Sequence, residues 1–521
     1  MYVNHRKRKL AVAIRLTLLA AAAVSLEAQM PGTGGGSGAS SRATPLPASG
    51  RQASTGAVQA QQTPGPGSGV ATVSSSVQIG GNFAGSVPAA QSGTGPITLT
   101  LSDALKLGLA ANLGTVSAGN EARAARAGRL QALSALLPNI SANASETVTQ
   151  VNLAAYGFQF KVPPGFPLSI PSVVGPFEYS SLQGSLNQTV FDAVERRNWK
   201  ASKETERAAN LSAKDARELV VLAVGGSYLQ TLAAAARVDS QRAQVANAQA
   251  IYNQAVTRKE AGTNARIDVV RSRVELQTEQ QRLSSLEADL RKQKIALARV
   301  IGVPLDREIV LAEPLRYQET AIPETQAAIA QAEQGRADLR AAEAQLHAAE
   351  LALAAAHAER YPSASINGYY GALGPTPTSA HGVFAVTGAI NVPIWQGGRI
   401  KGDIEEAEAT VQQRKAELAD QRARVEEDVR NALIELETAA GQVKLAESNR
   451  AYANETLNEA RDRFAAGVAT TVEVVQAQEQ VAGAESDYIS SLFSFDLARL
   501  SLARATGQAE ADLPDLLKEK R

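Results

Sequence analysis

The chain of 521 residues contains two copies of one unit, and this duplication restricts its possible folds more than any other feature. The second copy follows the first at an offset of 204 residues, which becomes 205 near a shared Ala-Gly pair. Further upstream the offset is 224, so the first copy carries an insertion at residues 151–178. The aligned segments are 137–141 with 361–365, 186–191 with 390–395, 261–262 with 466–467, and 267–270 with 472–475.

Each copy changes from a helical period to a strand period just after a proline, at Pro138 and Pro362. The residue before a proline is displaced from the helical region, so the preceding helices, at about 116–137 and 324–361, should end there. Strict alternation in residues 384–392 predicts a strand with two unlike faces. Weaker alternation predicts three more strands, at residues 139–150, 179–191 and 363–370.

A very long helical segment follows the strands in each copy, at residues 193–258 and 397–462. Each would measure roughly 100 Å at the rise of an α-helix. The helices that return carry apolar residues at seven-residue spacing, which is typical of coiled-coil packing. The residues of this stripe are Leu276, Leu283, Leu290 and Leu297 in the first copy, and Val481, Tyr488, Phe495 and Leu502 in the second.

Four strands cannot close a β-barrel alone, and an open edge in lipid leaves backbone groups without hydrogen bonds. If the strands cross a membrane, several chains must contribute to one barrel. Two chains would give eight strands and an interior filled by side chains, whereas three would give twelve strands and begin to leave a lumen. The sequence pattern allows both.

The N-terminal part has the composition of a targeting segment followed by a low-complexity leader. A basic start and a short apolar run predict a signal peptide at residues 1–28, with an uncleaved anchor helix as the alternative. Residues 29–96 are rich in Gly, Ser and Pro, and we expect them to be disordered, either as a flexible tether or as a passive tail. The uncharged residues 219–236 could form a transmembrane helix, but the aligned part of the second copy carries several charges, which argues against it.

Composition excludes several functions. The chain has no cysteine, which removes disulfides, thiol catalysis and most zinc sites. Its 52 basic residues equal its 52 acidic ones, so nucleic-acid binding is not expected. We find no motif of an enzyme, and we expect no catalytic residue, no cofactor and no metal site.

Two short motifs interrupt the long helices at equivalent positions, Ala261-Gly262-Thr263 and Ala466-Gly467-Val468. Glycine there permits the left-handed turn of a helical hairpin, which explains the motif even without a function. Asp268 and Glu473 follow in the first turn of each return helix. In one interpretation, the helix dipole simply stabilises a carboxylate at these positions. In the other, oligomer symmetry gathers the two acids into a charged ring. Trp395 and Phe191, at strand ends, are either membrane-interface aromatics or core residues.

Together these features resemble the TolC-like outer-membrane efflux protein family over residues 97–507. The residues that carry the resemblance are Leu99-Thr-Leu-Ser-Asp-Ala-Leu105, Leu-Leu-Pro-x-x-Ser at 136–141, Pro393-Ile-Trp-Gln-Gly-Gly398, and the two Ala-Gly motifs with Ile-Asp-Val-Val and Val-Glu-Val-Val behind them. Each motif is weak alone, whereas their order, spacing and duplication are specific.

The resemblance implies an α+β membrane protein: a homotrimer whose twelve-stranded outer-membrane barrel, four strands per chain, continues into a periplasmic α-helical barrel. It implies a passive duct for efflux or type I secretion, whose helix tips contact a periplasmic adaptor coupled to an inner-membrane transporter. Asp268 and Glu473 match the acidic entrance site. Some members have a second acid three residues later, where this chain has Arg271 and Gln476.

The resemblance also divides the chain. It implies a first repeat at residues 97–302, a connecting equatorial segment at 303–322, a second repeat at 323–507 and a tail at 508–521. Members anchored by acyl chains carry a cysteine after the signal peptide, so this chain should be unlipidated. The alternative is a soluble periplasmic coiled-coil adaptor or scaffold whose four strands form a small sandwich. Adaptors usually have one helical hairpin, whereas this chain has two matched ones.

Overall fold

The computed structural model describes residues 58–66, 71–88, 95–156, 171–262 and 265–512. The predicted signal peptide, the tip residue Thr263 and most of the C-terminal tail therefore lie outside the described residues.

The leader is partly folded, which corrects the expectation of disorder for residues 58–66 and 71–88. β1 (Val58–Pro66) and β2 (Ala71–Ile79) form an antiparallel hairpin, and a single 3-10 turn follows. Val58 is buried, and Val77 packs on the helix that contains Gly226, where a Cβ would come within 2.6 Å of the valine side chain. A few apolar residues in a polar segment therefore suffice to dock it on a neighbouring core.

The first repeat begins with β3 (Ile97–Leu99), α1 (Leu101–Ala111) and α2 (Leu113–Ser134). Thr100 caps α1 as its sequence predicts, because its hydroxyl accepts a hydrogen bond of 3.1 Å from the Asp103 amide. The other elements of this repeat are β4 (Asn139–Asn152), β5 (Val173–Phe191), α3 (Ala193–Glu260) and α4 (Arg266–Ile301).

The connecting segment contains β6 (Ile309–Leu311), which pairs in parallel with β3. The elements of the second repeat are α5 (Thr325–Gly335), α6 (Ala337–Ala358), β7 (Ser363–Gly374), β8 (His381–Asn391), α7 (Arg399–Ala465) and α8 (Thr471–Ala505), followed by the short α9 (Ala509–Asp512). The four predicted strands are confirmed. The long helices α3 and α7 have 68 and 67 residues.

The single helix predicted at 324–361 is wrong in one respect, because it is divided at Arg336. That residue has an extended backbone, with φ −65° and ψ 122°, and it follows Gly335. Its side chain is buried in ion pairs with Asp338 and Asp428, which compensate for the interrupted helix. The pattern of apolar residues continues across the break, so periodicity alone did not reveal it.

β4, β5, β7 and β8 form one antiparallel sheet in the order β4-β5-β7-β8. Its two outer strands, β4 and β8, have no partner on their free edges among the described residues. On β8, Phe384, Val386 and Ile390 lie on one face, and all three are strongly exposed. The alternation predicted from the sequence is thus present, and the apolar face is uncovered in a single chain.

The main core lies where α3 meets α1, α4 and α8, and Tyr228 and Leu229 are completely buried there. α3 is the only described helix that is long and apolar enough to cross a membrane, but most of its apolar stretch is buried in the protein. This stretch is therefore a core stripe. In the heptad stripes, Leu276, Leu297, Val481 and Phe495 are buried, and the other four residues are half-buried.

Candidate functional site at the helical tips

Each helical hairpin reverses direction at the predicted glycine. α3 ends at Glu260, and Gly262 has a φ of +74°; α7 ends at Ala465, and Gly467 has a φ of +78°. A Cβ at either glycine would meet no atom within 4 Å. Glycine is required there by the left-handed backbone rather than by close packing. Ala261, Ala466 and Val468 are exposed beside these turns.

The two acidic residues of the predicted entrance lie in the first turns of α4 and α8. The Asp268 side chain is 22% exposed, and its carboxylate lies 3.6 Å from the Arg271 guanidinium. Glu473 forms a capping box with Thr470 and an ion pair of 3.5 Å with Arg463. Each carboxylate thus has an arginine in its own hairpin. Gln476 is exposed one turn after Glu473.

Arg258 connects the two hairpins through a contact that was not predicted from the sequence. Its guanidinium stacks 4.4 Å from the centre of the buried Phe464 ring and donates hydrogen bonds of 3.1 and 3.4 Å to the carbonyls of Phe464 and Ala465. These carbonyls end α7, where a positive charge is favourable. A basic residue in the last turn of α3 would be explained by its own helix dipole, so no sequence signal indicated this contact.

A second group of acids lies farther from the tips, between α4 and α8. Burial raises the pKa of the Glu275 carboxyl above its usual range, and the negative charges of Glu279 and Glu479 raise it further. Glu279 is itself buried, accepts a hydrogen bond from Gln241 and pairs with Arg282 at 2.7 Å. This group was also not predicted, since Glu275 and Glu479 lie on different helices.

The outer face of α4 near the tip is apolar and uncovered. Ile267, Val270 and Val274 follow one another at helical spacing, and each is about half exposed or more. A face of this kind on a helix that is otherwise polar indicates a contact surface.

At the opposite end of the long helices, the predicted interface aromatics are accessible. Trp395 is 87% exposed just after β8, and Phe191, the last residue of β5, is also exposed. Core packing does not account for Trp395 in the single chain. Within the described part of the chain, no group of His, Asp and Glu side chains could hold a metal ion.

Comparison with known proteins places these features in a family. A sequence model described as outer membrane efflux protein matches residues 116–303 and 328–508, which include both hairpins and all four strands of the large sheet. The chain belongs to this family. It is an outer-membrane channel protein and not an enzyme, and the alternative of a soluble adaptor is wrong.

Individual relatives are distant but cover most of the chain. The outer membrane efflux protein BepC of Brucella suis biovar 1 is 23% identical over 346 residues, which are 63% of this chain and 72% of BepC. The toluene efflux pump outer membrane protein TtgF of Pseudomonas putida is 24% identical over 357 residues, 65% of this chain and 72% of TtgF.

Solved structures show the same fold. The CmeC outer membrane channel of Campylobacter jejuni has a TM-score of 0.68 at 15% identity and covers 84% of this chain and 95% of its own. The outer membrane protein VceC of Vibrio cholerae has a TM-score of 0.63 at 20% identity and covers 78% of this chain and 96% of its own. The fold is that of channels whose outer-membrane β-barrel continues into a periplasmic helical tunnel.

Proposed function

We propose that three copies of this chain form one export duct, with a single twelve-stranded barrel in outer-membrane lipid. The observation that supports this most is the four-stranded sheet with two free edges. In lipid each unpaired backbone group costs several kcal/mol, so β4 of one copy should pair with β8 of the next.

The side chains of β8 favour three copies over two. Phe384, Val386 and Ile390 occupy one face, and the other carries small or polar residues, Ala385, Thr387, Ala389 and Asn391. Small and polar residues suit the wall of a water-filled lumen. Eight strands would enclose an interior that side chains must fill, and this face lacks the bulk to fill it.

The helical tunnel would also be completed by neighbouring copies. The stripe Ile267, Val270 and Val274 on α4 is uncovered in one chain, and a neighbouring copy of α7 or α8 would bury it. About 25 cal/mol of stabilisation is gained per Å² of apolar surface removed from water. The tunnel should therefore be stable only as an oligomer.

At the periplasmic end, we assign Asp268, Arg271, Glu473 and Gln476 to the entrance. Threefold symmetry would repeat each of them around the axis. The arginine beside each acid reduces the net charge of such a ring, so we expect weaker block by cations than for a ring of bare carboxylates. The exposed tip residues around Gly262 and Gly467 would contact the adaptor, and Trp395 and Phe191 would lie at the membrane interface.

The duct would be passive, with energy from an inner-membrane transporter that a periplasmic adaptor connects to it. Relatives of this chain are outer-membrane proteins of efflux pumps, and TtgF belongs to a toluene efflux pump. We therefore propose that the cargo consists of small apolar compounds rather than secreted proteins.

Single-channel recording in planar bilayers tests the duct and its entrance together. The wild type should insert and give discrete openings with a small conductance. Double substitution Asp268→Asn with Glu473→Gln should change conductance and cation block, whereas Asp289→Asn, on the exposed side of α4, should change neither. A protein recovered only as a soluble periplasmic monomer would contradict the duct. If the double variant has the same conductance and cation block as the wild type, neither acid lies at the entrance.

A further inference from the structure

A groove between the two hairpins of one chain runs from the connecting segment toward the helical tips. It is bounded by α3, α7 and α8, and the connecting segment closes one end at residues 311–315. Its volume is about 600 Å³, within the range of pockets that hold small organic ligands. We call it the inter-hairpin groove.

The floor of the inter-hairpin groove is apolar. Leu232 of α3, Leu457 of α7 and Ile489 of α8 are buried side chains that line it. The walls are more polar, because the amide side chains of Gln244, Asn454 and Asn458 also line it. The groove thus offers an apolar surface for the body of a ligand and hydrogen-bonding groups along its sides.

Among the residues that the structure describes, the charges of the groove leave one cation without an acidic partner. Asp239 pairs with Arg242 at 3.2 Å, and Glu485 lies 3.8 Å from Arg450, which also stacks on Tyr488 at 4.3 Å. The third carboxylate, that of Glu313, accepts hydrogen bonds of 2.9 Å from the Leu101 amide and from the Tyr228 hydroxyl.

Arg461 makes no ion pair with any described residue, and it lies at the end of the groove nearest the tips. A lone guanidinium in a partly buried site favours an anionic ligand group, because charge-assisted hydrogen bonds to it are stronger than neutral ones. Arg450 and Arg461 are about 16 Å apart along α7 at the rise of an α-helix, which sets the length of the site.

From these observations we propose that the inter-hairpin groove binds an amphipathic monoanion about 16 Å long. Its carboxylate contacts Arg461, and its apolar body lies on the floor toward the connecting segment. All the groups that bind it come from one chain, so the site does not depend on the proposed trimer.

Photolabelling tests this site directly. The probe is dodecanoate with a diazirine in its chain, and the matched probe is the corresponding neutral amide; both are applied to the full chain in lipid nanodiscs. After irradiation, mass spectrometry of peptides locates the label. We expect the carboxylate probe to label residues 232–247 and 450–461, and the amide to label them far less.

Substitutions identify the charge. Arg461→Ala should reduce groove labelling by about tenfold, the factor that loss of one charged hydrogen bond implies, and Arg461→Lys should restore much of it. Arg430→Ala removes an exposed arginine from the same helix outside the groove, and should leave labelling unchanged. Equal labelling of wild type and Arg461→Ala, equal labelling by both probes, or label confined to the strands would overturn the proposal.

Discussion

The two repeats share a backbone fold, but the side chains at equivalent helix breaks differ in their chemistry. Asn112 and Arg336 are equivalent residues, and both interrupt a helix with extended backbone angles, φ −63° and ψ 134° against φ −65° and ψ 122°. Asn112 is completely buried and donates to the carbonyls of Phe83 and Val300 at 2.9 and 3.2 Å. In the first repeat, the buried polar groups at the break are thus satisfied by neutral hydrogen bonds.

In the second repeat, ion pairs take the place of these neutral hydrogen bonds. Arg336 is 2% exposed, and its guanidinium bonds to Asp338 and Asp428 at 2.6 Å. The counterpart of Asp428 in the first repeat is Val224, which packs on Gly108. Asp428 is about half exposed at 52%, so water reaches this ionic group from one side.

The surroundings of the two breaks differ in the same way. The uncharged stretch 219–236 of α3 lies in the main core, where buried charge would be costly. The equivalent stretch of α7 carries Arg422 and Arg424, whose side chains are 56% and 42% exposed. Duplication preserved the helix break, whereas the local environment selected the side chains.

Removing the arginine should have the largest effect. Arg336→Met leaves Asp338 without its compensating charge, and loss of one partner of a buried pair costs about 3–5 kcal/mol. Asn112→Ala should cost about 1–3 kcal/mol, because it leaves neutral carbonyls unpaired. Arg430→Ala, in an exposed pair with Glu426, should cost less than about 1 kcal/mol. Thermal unfolding of purified protein measures all three. Equal losses for Arg336→Met and Arg430→Ala would contradict the ionic role.

The return helices should also differ in their response to pH. Burial raises the pKa of Asp496 in α8 to about 7, from an ordinary value of 3.8, while its counterpart Arg291 in α4 is exposed. Because the folded state binds this proton more tightly than the unfolded state, stability should fall as pH rises from about 4 through 7.

Asp496→Asn should remove most of that pH dependence and raise the melting temperature at pH 8. The control, Asp289→Asn, changes an exposed acid of α4 that pairs with Lys292 and should leave the pH profile intact. Melting curves from pH 4 to 8 provide the measurement. If Asp496→Asn does not change how the melting temperature depends on pH, other groups cause that dependence.

Gly108 and its counterpart Ala332 test packing of the two repeats. A Cβ at Gly108 would lie 2.4 Å from a methyl carbon of Val224, a stiff side chain, so Gly108→Ala should cost about 1–3 kcal/mol. Val224→Ala in the same chain should recover part of the loss. Ala332→Gly should cost only about 0.5–1 kcal/mol, from helix propensity. If Gly108→Ala leaves the melting temperature unchanged, α1 and α3 are not in contact there.

At the tips the two repeats should behave alike. Gly262→Ala and Gly467→Ala each place a side chain in the left-handed region, at a cost of about 1 kcal/mol. Gly441→Ala, inside α7 with open space around it, should stabilise by about 0.5–1 kcal/mol. Opposite signs for the tip and interior variants are expected in thermal unfolding, and equal signs would contradict the turn geometry.

Much of this architecture follows from the sequence, because its signals are local or periodic. The alternation in 384–392, the cap at Thr100 and the tip glycines each specify structure through nearby residues, and the structure contains all of them. Docking of Val58 and Val77, the pairing of β3 with β6 and the contact of Arg258 with Phe464 depend on residues far apart in the chain. No local pattern marks such contacts, so they were not predicted.

Cysteine crosslinking of the sheet edges tests the central claim, that three chains share one barrel. The chain has no cysteine, so only the introduced thiols can form disulfides. Ser145→Cys on β4 is combined with single cysteines at each of residues 383–391 on β8, oxidised in outer membranes and run on non-reducing gels. We predict that at least one register gives a ladder of monomer, dimer and trimer that ends at the trimer, while each single variant stays monomeric. A ladder that closes at the dimer, continues beyond the trimer, or fails at every register would contradict the account.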